Sequence, residues 1–225
     1  LIIILLFDIS SEFQFGIFLL LIMPSAAMSN YATKLIDGNV SLSITLTSSC
    51  ALLSFLTIPL YLKFFGNYIY DDVFELDLFA FSLKTFLFIT IPVFIGIFCI
   101  EKFPKTFDKR RFFLDRMAFA LFLIIIFIAI YMEKNSLIGY FQDVGVIITI
   151  ILASIIIILS ILLKIFIPDL KSRRAILVEG ILQNGAMGFV IGSFIYSEVV
   201  YLVPIAIYAL LQYCVLLFYI ANINI

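Results

Sequence analysis

The chain has 225 residues, of which 64% are hydrophobic and 13% are charged, and its formal net charge is −1. Soluble domains carry about a quarter charged residues, so the composition excludes an ordinary soluble domain, and the charge balance excludes a basic surface for nucleic acid. The absence of histidine and the isolated positions of Cys50, Cys99 and Cys214 exclude zinc sites, a disulfide framework and a Ser-His or Cys-His catalytic pair.

The apolar residues form long blocks, and the mean hydropathy is +1.24. Runs of about 20 apolar residues are what a helix needs to cross a hydrocarbon core about 30 Å thick. The blocks lack the alternation of polar and apolar positions that strands of a membrane barrel show. The sequence therefore predicts an all-α polytopic membrane protein. Because the chain opens at the apolar Leu1 without an initiator Met, we expect it to be an N-terminally incomplete protein.

After the apolar opening of the chain, the first predicted element is an apolar half-span over Phe13–Met23 that ends at Pro24. A short segment then leads to Asp37-Gly38-Asn39. A broken span with Gln183-Asn184-Gly185 at its centre is predicted over Arg174–Tyr196. Continuous spans are predicted over Val40–Phe65, Leu78–Ile100, Phe112–Met132, Phe141–Ile167 and Val199–Ala221. These elements make about seven spans in a single transmembrane domain, residues 1–225.

The charged residues of the connecting segments alternate in sign. Two segments are basic, one before Phe112 and one around Lys171–Arg174, whereas the others carry Asp71, Asp72, Glu75, Asp77, Glu133 and Glu198. Short loops rich in Lys and Arg favour the cytoplasmic side. We therefore expect the basic loops and the C-terminus to be cytoplasmic, in a multi-pass protein of the plasma (inner) membrane.

Glu179 is the one carboxylate that falls well inside a predicted span. A charged side chain in a membrane helix costs about 2.5–3.5 kcal/mol on insertion scales, so it faces a cavity, a partner or an ion. Gln183 lies four residues on, hence on the same helix face, and Asn184 follows it. One interpretation makes Glu179 part of an ion site. The alternative places it near the cytoplasmic end, paired with Arg173 or Arg174.

A second polar region interrupts the first span after Pro24, which cannot donate a backbone hydrogen bond. Ser29 and Asn30 bring polar groups to membrane depth, where irregular backbone is tolerated only if protein buries it or it lines a cavity. Ser43 and Thr47 place two hydroxyls on one face of the next helix, although such hydroxyls also bond to their own helix carbonyls. Together with Glu179, these oxygens favour a site for a hard cation such as sodium. Two interrupted helices predict a transporter with inverted repeats.

The residues around both breaks resemble the signatures of the bile acid:sodium symporter family. Pro24-Ser25-Ala26-Ala27-Met28-Ser29-Asn30 and the later Gly38-Asn39-Val40-Ser41-Leu42-Ser43 with Thr47 are similar to P-G-G-T-x-S-N and G-[ND]-V-A-L-S-x-x-x-T at the same spacing. Glu179, Gln183 and Asn184 match the second signature, E-x-x-x-Q-N. The order of the helices between the signatures is also similar to that of the family.

The resemblance implies a fold of ten helices in two inverted repeats, divided into a core domain and a panel domain. Residues 1–8 would be the end of the third family helix, 12–65 the broken crossing helix and the helix after it, and 78–222 the second repeat with its broken helix at 174–196. The breaks would lie near Pro24–Ser29 and Asn184–Gly188. About seven of the ten helices would be present, and two panel helices would be absent.

The resemblance also implies the site. One sodium ion would bind to side chains at five positions, Ser29, Asn30, Ser43, Thr47 and Glu179. A second would bind to Glu179, Gln183 and the backbone carbonyls between them. The organic anion would bind near Asn184 and the small residues Ser25, Ala26 and Ala27. The family has two glycines and a threonine at those three positions, so the added methyl groups would narrow the crossover here.

We therefore expect sodium-coupled symport of an organic anion, such as a bile acid-like or small carboxylic acid substrate, with sodium as the coupling ion and the lipid bilayer as a partner. Three alternatives stay open. A truncated relative could bind or sense its ligand without transport. An arsenite-type transporter would need a cysteine in the first broken region, and none is there. An intramembrane enzyme acting on lipids would need a nucleophile and a base, and no such pair appears, so we expect no enzymatic activity.

Overall fold

The computed structural model describes residues 7, 9–69, 77–132, 137–196 and 198–223, and these residues are overwhelmingly helical. Most of the predicted stub at residues 1–8 lies outside this part of the chain. The same holds for the acidic loop residues Asp71, Asp72, Glu75 and Glu133, and for Lys134.

Eleven α-helices are present in the described residues. The first broken span consists of α1 (Ser11–Leu21) and α2 (Met28–Leu35), and the second of α9 (Leu170–Ile181) and α10 (Gly185–Ile195). The others are α3 (Val40–Ile69), α4 (Leu78–Thr85), α5 (Ile91–Lys102), α6 (Pro104–Met132), α7 (Leu137–Tyr140), α8 (Val146–Phe166) and α11 (Val203–Ile223). A π-helical turn, Phe86–Thr90, joins α4 to α5, a second, Phe141–Gly145, joins α7 to α8, and a 3₁₀ turn, Val199–Leu202, precedes α11.

In the part of the chain that the structure describes, three helical stretches are long and apolar enough to cross a membrane, namely Val40–Gly66, Phe141–Phe166 and Val199–Asn222. Shorter apolar helices lie at Ser11–Leu21 and Gly185–Ile195, each beside one of the breaks. Large apolar side chains are exposed along much of the surface, for example Phe88, Phe94 and Phe98. An exposed apolar surface of this extent suits lipid rather than water. The chain is an all-α membrane protein.

Two helices begin earlier than the sequence predicted. α6 begins at Pro104 instead of Phe112, and α9 begins at Leu170 instead of Arg174, so the basic residues lie in helical turns and not in loops. Proline suits the first position of a helix, and Lys and Arg are good helix formers. At α9 the carboxylate of Asp169 accepts a hydrogen bond from the backbone N–H of Ser172 at 2.8 Å and caps the helix.

The second break also differs from the prediction of Asn184–Gly188. The helix is interrupted at Leu182–Asn184, and Gly185 and Gly188 belong to the first turns of α10. An ideal Cβ at Gly188 would lie 3.1 Å from Ile205 Cδ1. Glycine at position 188 therefore permits close packing of α10 against α11 and does not unwind the helix.

The core forms where α1 and α11 pack together and where α9 packs against α2, α3 and α8. Gly16 makes the first of these contacts possible, since an ideal Cβ there would lie 2.3 Å from the carbonyl oxygen of Tyr201 and 2.9 Å from Pro204 Cγ. α1 also holds the fully buried side chains of Phe15 and Leu19. The helix that precedes the first break is thereby fixed against the start of α11 and the turn before it.

We expect Gly16→Ala to lower the midpoint of thermal unfolding in detergent, because its methyl group would overlap backbone atoms that have no room to move. Overpacking of this kind costs about 1–3 kcal/mol. Gly96→Ala is the matched control, since an ideal Cβ at Gly96 meets no atom of the described residues within 4 Å. Equal unfolding midpoints for the two variants would contradict the close contact between α1 and α11.

Candidate functional site

The two helix breaks meet and pair their backbones. The backbone N–H of Ala26 donates to the carbonyl of Leu182 at 2.8 Å, and that of Asn184 donates to the carbonyl of Pro24 at 2.9 Å. Ser25 and Gln183 thus form an isolated antiparallel β-bridge. At each break, some backbone N–H and carbonyl groups have no hydrogen-bond partner within their own helix. These groups bond to the backbone of the other break, which apolar surroundings require.

Glu179 is held by three hydroxyl groups on the neighbouring helices. Ser29 Oγ donates to Glu179 Oε1 at 2.5 Å, and Thr47 Oγ1 lies 2.9 Å from Oε1 and 3.0 Å from Oε2. Ser43 Oγ also donates to Oε1. The residue is 8% exposed, so its carboxylate is largely withdrawn from solvent.

Asn30 completes this cluster. Its side-chain oxygen lies 2.9 Å from Ser43 Oγ and 3.3 Å from Thr47 Oγ1, so it is an alternative acceptor for each of these hydroxyl protons. The structure therefore brings together all five residues of the first predicted set, which come from α2, α3 and α9. Their assignment to sodium stays a prediction.

The oxygen atoms of this cluster fit a hard monovalent cation in number and type. Four neutral oxygens surround one carboxylate, and hard cations prefer oxygen ligands of this kind. The hydroxyl protons that now point to Glu179 have other acceptors within reach. Thr47 Oγ1 lies 2.9 Å from the Ser43 carbonyl, and Ser43 Oγ lies 2.9 Å from the Asn30 side-chain oxygen. These hydroxyls can therefore turn their lone pairs towards a cation without losing every hydrogen bond.

The alternative pairing of Glu179 with an arginine is not what the structure shows. Arg173 donates to the carbonyl of Pro168 at 3.0 Å, and Arg174 donates to the carbonyl of Ile36 at 2.9 Å. Among the residues that the structure describes, the ion pair is Lys171 with Asp37, at 2.9 Å. The carboxylate of Glu179 is surrounded by neutral donors instead.

The turn between α2 and α3 is attached to the start of α9. Asp37 adopts a positive φ of 51° and Gly38 N–H donates to the Thr33 carbonyl, which ends α2 in a Schellman motif. The backbone N–H of Asn39 then donates to the carbonyl of Lys171 at 2.9 Å. Lys171 in turn donates a hydrogen bond to Asp37, which holds the pKa of that exposed carboxyl below its usual value. We call these contacts, together with that of Arg174 with Ile36, the outer clasp.

Gln183, of the second predicted set, lies beside the same cavity as Glu179. Its side-chain Nε2 donates to the carbonyl of Gly180 at 3.3 Å, whereas Oε1 is buried without a hydrogen-bond partner in the described part of the chain. All three carbonyls between the two residues accept hydrogen bonds. Gly180 accepts from Gln183 itself, Ile181 from Tyr208 at 2.9 Å, and Leu182 from the Ala26 N–H at 2.8 Å. The free Oε1 atom is the feature that suits a ligand here.

A cavity of about 270 Å³ lies beside the crossing. Its polar lining comes from Ser25, Cys50, Glu179 and Gln183, and most of the remaining wall is apolar, including Leu46 and Leu159.

Of the four residues predicted to contact the organic anion, Ser25 alone is among those that line this cavity. Asn184 caps α10, its side-chain oxygen accepting a hydrogen bond from Met187 N–H at 3.0 Å. Ala26 pairs with the second break through its backbone, and Ala27 is exposed just before α2. The role of these four residues stays a prediction.

Several residues near the site were not singled out from the sequence. Thr33 donates to Ser43 Oγ at 3.3 Å, Cys50 lines the cavity, and Gln212 and Tyr208 of α11 bond to the second break. Thr33 and Cys50 follow Ser29 and Thr47 by one helical turn, which is a signal that the spacing contained. Gln212 is a buried amide in the middle of α11, in a mostly apolar stretch, and a polar residue at such a position is a signal for function.

Comparison with known proteins places this geometry in a family. Residues 1–140, more than half of the chain, match the model of the sodium bile acid symporter family. The match includes the first break and the α3 hydroxyls, and it ends before Glu179 and Gln183. No individual curated protein matches the chain. The extent of the family match shows that the chain belongs to the sodium bile acid symporter family.

Proposed function

We propose that this protein couples the inward movement of sodium to the transport of an organic anion. The observation that supports this most directly is the convergence of Ser29, Asn30, Ser43, Thr47 and Glu179 beside the pair of crossed helix breaks. An acidic side chain among neutral oxygens needs a cation to balance its charge in apolar surroundings. Membership of the sodium bile acid symporter family favours sodium for that role.

Coupling follows from the shared position of Glu179. Its side chain contributes both to the five-oxygen cluster and to the cavity wall. Two like charges 4 Å apart repel by about 4 kcal/mol at an effective dielectric constant of 20. An organic anion in the cavity would meet this repulsion until a cation neutralises Glu179. Sodium binding would therefore raise the affinity for the anion.

The anion would be recognised by dipoles as well as by sodium. α2 and α10 both begin at the crossing, at Met28 and Gly185, so the positive ends of two half-helices lie near the cavity. The cavity volume of about 270 Å³ lies just below the range of about 300–1,000 Å³ for drug-sized ligands. The cavity is open on one side, so a small carboxylic acid and a bile acid-like anion that extends out of it are both substrates of this proposal.

The membrane potential acting on sodium would provide enough free energy to accumulate the organic anion. Each elementary charge that crosses a potential of 100 mV contributes about 2.3 kcal/mol, so two sodium ions would contribute about 4.6 kcal/mol before any concentration gradient is counted. The two predicted sodium sites share Glu179, which links their occupancy. Inverted repeats and a cytoplasmic C-terminus remain part of this proposal.

We expect sodium, but not potassium, to raise the thermal unfolding midpoint of the purified protein, and Glu179→Ala to abolish the effect while the protein still inserts and folds. A ligand at 100 times its Kd stabilises the state that binds it by about 2.7 kcal/mol. Size-exclusion profiles identical to the wild type would verify folding. An unchanged sodium affinity in Glu179→Ala would remove the site assignment.

We expect Thr47→Val to weaken sodium binding about tenfold or more, since it removes a hydroxyl that touches both Glu179 oxygens and Asn30. Thr45→Val is the matched control, because Thr45 is exposed on the same helix and bonds to the carbonyl of Ser41. Sodium titrations of thermal stability measure both. Equal effects of the two substitutions would show that the hydroxyl at position 47 has no special role.

We expect small organic anions that bind in the cavity to protect Cys50 from a small hydrophilic thiol reagent in a sodium-dependent manner. Both residues are exposed, but Cys50 lines the cavity, whereas Cys214 lies on α11 near the apolar side chains of Leu217 and Phe218. Labelling of Cys214 is the internal control, and it should not respond to sodium or anion. Protection of both thiols, or of neither by any carboxylate tested, would argue against the cavity as the anion site.

Uptake of radiolabelled carboxylates into proteoliposomes would separate transport from binding alone. Sodium-dependent accumulation supports a symporter. Sodium-dependent binding without accumulation would support the alternative of a binding or sensor protein.

A further inference from the structure

Gln212 is a fully buried amide in the middle of α11, 1% exposed, with apolar neighbours along the helix. Such a group is costly in apolar surroundings unless both its oxygen and its nitrogen are hydrogen-bonded. Its side-chain oxygen accepts a hydrogen bond from the backbone N–H of Gln183 at 2.9 Å, and its Nε2 atom lies 3.4 Å from the carbonyl oxygen of the same residue. Both bonds of Gln212 therefore go to one residue of the second break.

The conformation of the break explains this arrangement. In an extended segment, successive residues direct their backbone hydrogen bonds to opposite edges. Leu182 and Asn184 use one edge, through their bonds to Ala26 and Pro24. Gln183 therefore directs its N–H and carbonyl to the other edge, where the Gln212 side chain takes the place of a neighbouring strand; the carbonyl also accepts a hydrogen bond from the Gly185 N–H at 3.0 Å.

Tyr208 supplies a further bond from the same face of α11. It lies one helical turn before Gln212, is fully buried, and donates its hydroxyl proton to the carbonyl of Ile181 at 2.9 Å. Carbonyl groups in the last turn of a helix have no partner within the helix. Tyr208 satisfies one of them at the end of α9.

We propose that Gln212, assisted by Tyr208, is a positioning residue that fixes the second break in its extended conformation and thereby aims the Gln183 side chain into the cavity. Gln183 Oε1 is buried without a partner in the described part of the chain, and the side-chain amide is held by one long bond, from Nε2 to the Gly180 carbonyl at 3.3 Å. The peptide group between Leu182 and Gln183 is held on both sides. Its carbonyl accepts from Ala26 of the first break, and its N–H donates to Gln212 of α11. Within the described part of the chain, the side-chain hydrogen bonds of Gln212 go to Gln183 and not to the five-oxygen cluster, and Gln212 is not among the residues that line the cavity.

The test is amide hydrogen exchange of the segment 181–185 in the detergent-purified full chain. Gln212→Leu removes both bonds and leaves a buried donor unpaired, so we expect exchange in this segment about tenfold or more faster than in the wild type. Exchange in the segment 29–47 should be unchanged. Asn222→Leu is the matched control, because Asn222 is an exposed amide on the same helix that bonds to the carbonyl of Phe218.

Unchanged exchange at 181–185 in Gln212→Leu, or an equal increase in Asn222→Leu, would overturn the proposal. If Gln212→Leu does not fold, Gln212→Asn decides, because it keeps an amide on a side chain one methylene shorter. That variant cannot reach both atoms of the Gln183 peptide from the same position. We expect the same segment to exchange faster, and wild-type protection would overturn the proposal.

A second measurement rests on the proposed function and separates positioning from general stability. In sodium titrations of the wild type we expect cooperative stabilisation from two sites, and in Gln212→Leu the loss of the component that depends on Gln183. A variant that is merely less stable would keep the shape of the titration at a lower midpoint. The absence of any sodium response in the wild type would refute the proposed function, whereas the exchange experiment would still decide the role of Gln212.

Discussion

The architecture depends on the pairing of two short extended segments inside an otherwise helical protein. The carbonyl of Pro24 and the N–H of Ala26 bond to Asn184 and Leu182, respectively, so each segment satisfies the peptide groups that the other leaves free. Unsatisfied peptide groups cost several kcal/mol each in a hydrocarbon environment. Neither break would therefore be stable in an isolated helix. Because they form together, residues 150 positions apart, Ser29 and Glu179, come within hydrogen-bond distance.

The electrostatic state of Glu179 explains why the cluster around it is suited to an ion. Among the described residues its hydrogen-bond partners are hydroxyl groups, and the nearby Arg174 is engaged by the Ile36 carbonyl. Neutral dipoles stabilise a carboxylate without cancelling its charge. A mobile cation can supply the positive charge that an arginine side chain would have supplied permanently. A permanent ion pair would be an obstacle in a carrier that must release its ion, which favours the arrangement that is found.

The sequence made the first break and the oxygen cluster predictable, but not the elements that support them. A proline and polar residues inside an apolar span, as at Pro24–Asn30, indicate a helix break whatever the rest of the fold is. A carboxylate inside another span, Glu179, likewise indicates a polar site. The helix starts at Pro104 and Leu170 were missed because basic residues were assigned to loops, although Lys and Arg favour helices. Gln212 could not be assigned a role, since its partner is a backbone group whose position depends on tertiary structure. Likewise, the sequence analysis assigned the glycine at position 188 to an unwound segment, whereas the structure shows that this glycine allows close packing against Ile205.

The outer clasp has a consequence for motion. α2 and α9 are joined at their inner ends through the paired breaks and the five-oxygen cluster, and at their outer ends through the contacts of Lys171 and Arg174 with residues 36–39. Two rods joined at both ends cannot pivot apart without breaking one set of bonds. The residues of the proposed ion site on these half-helices therefore move together as one rigid body. Any change in which face of the bilayer can reach them must come from displacement of that body against the remaining helices, not from hinging between its own two members.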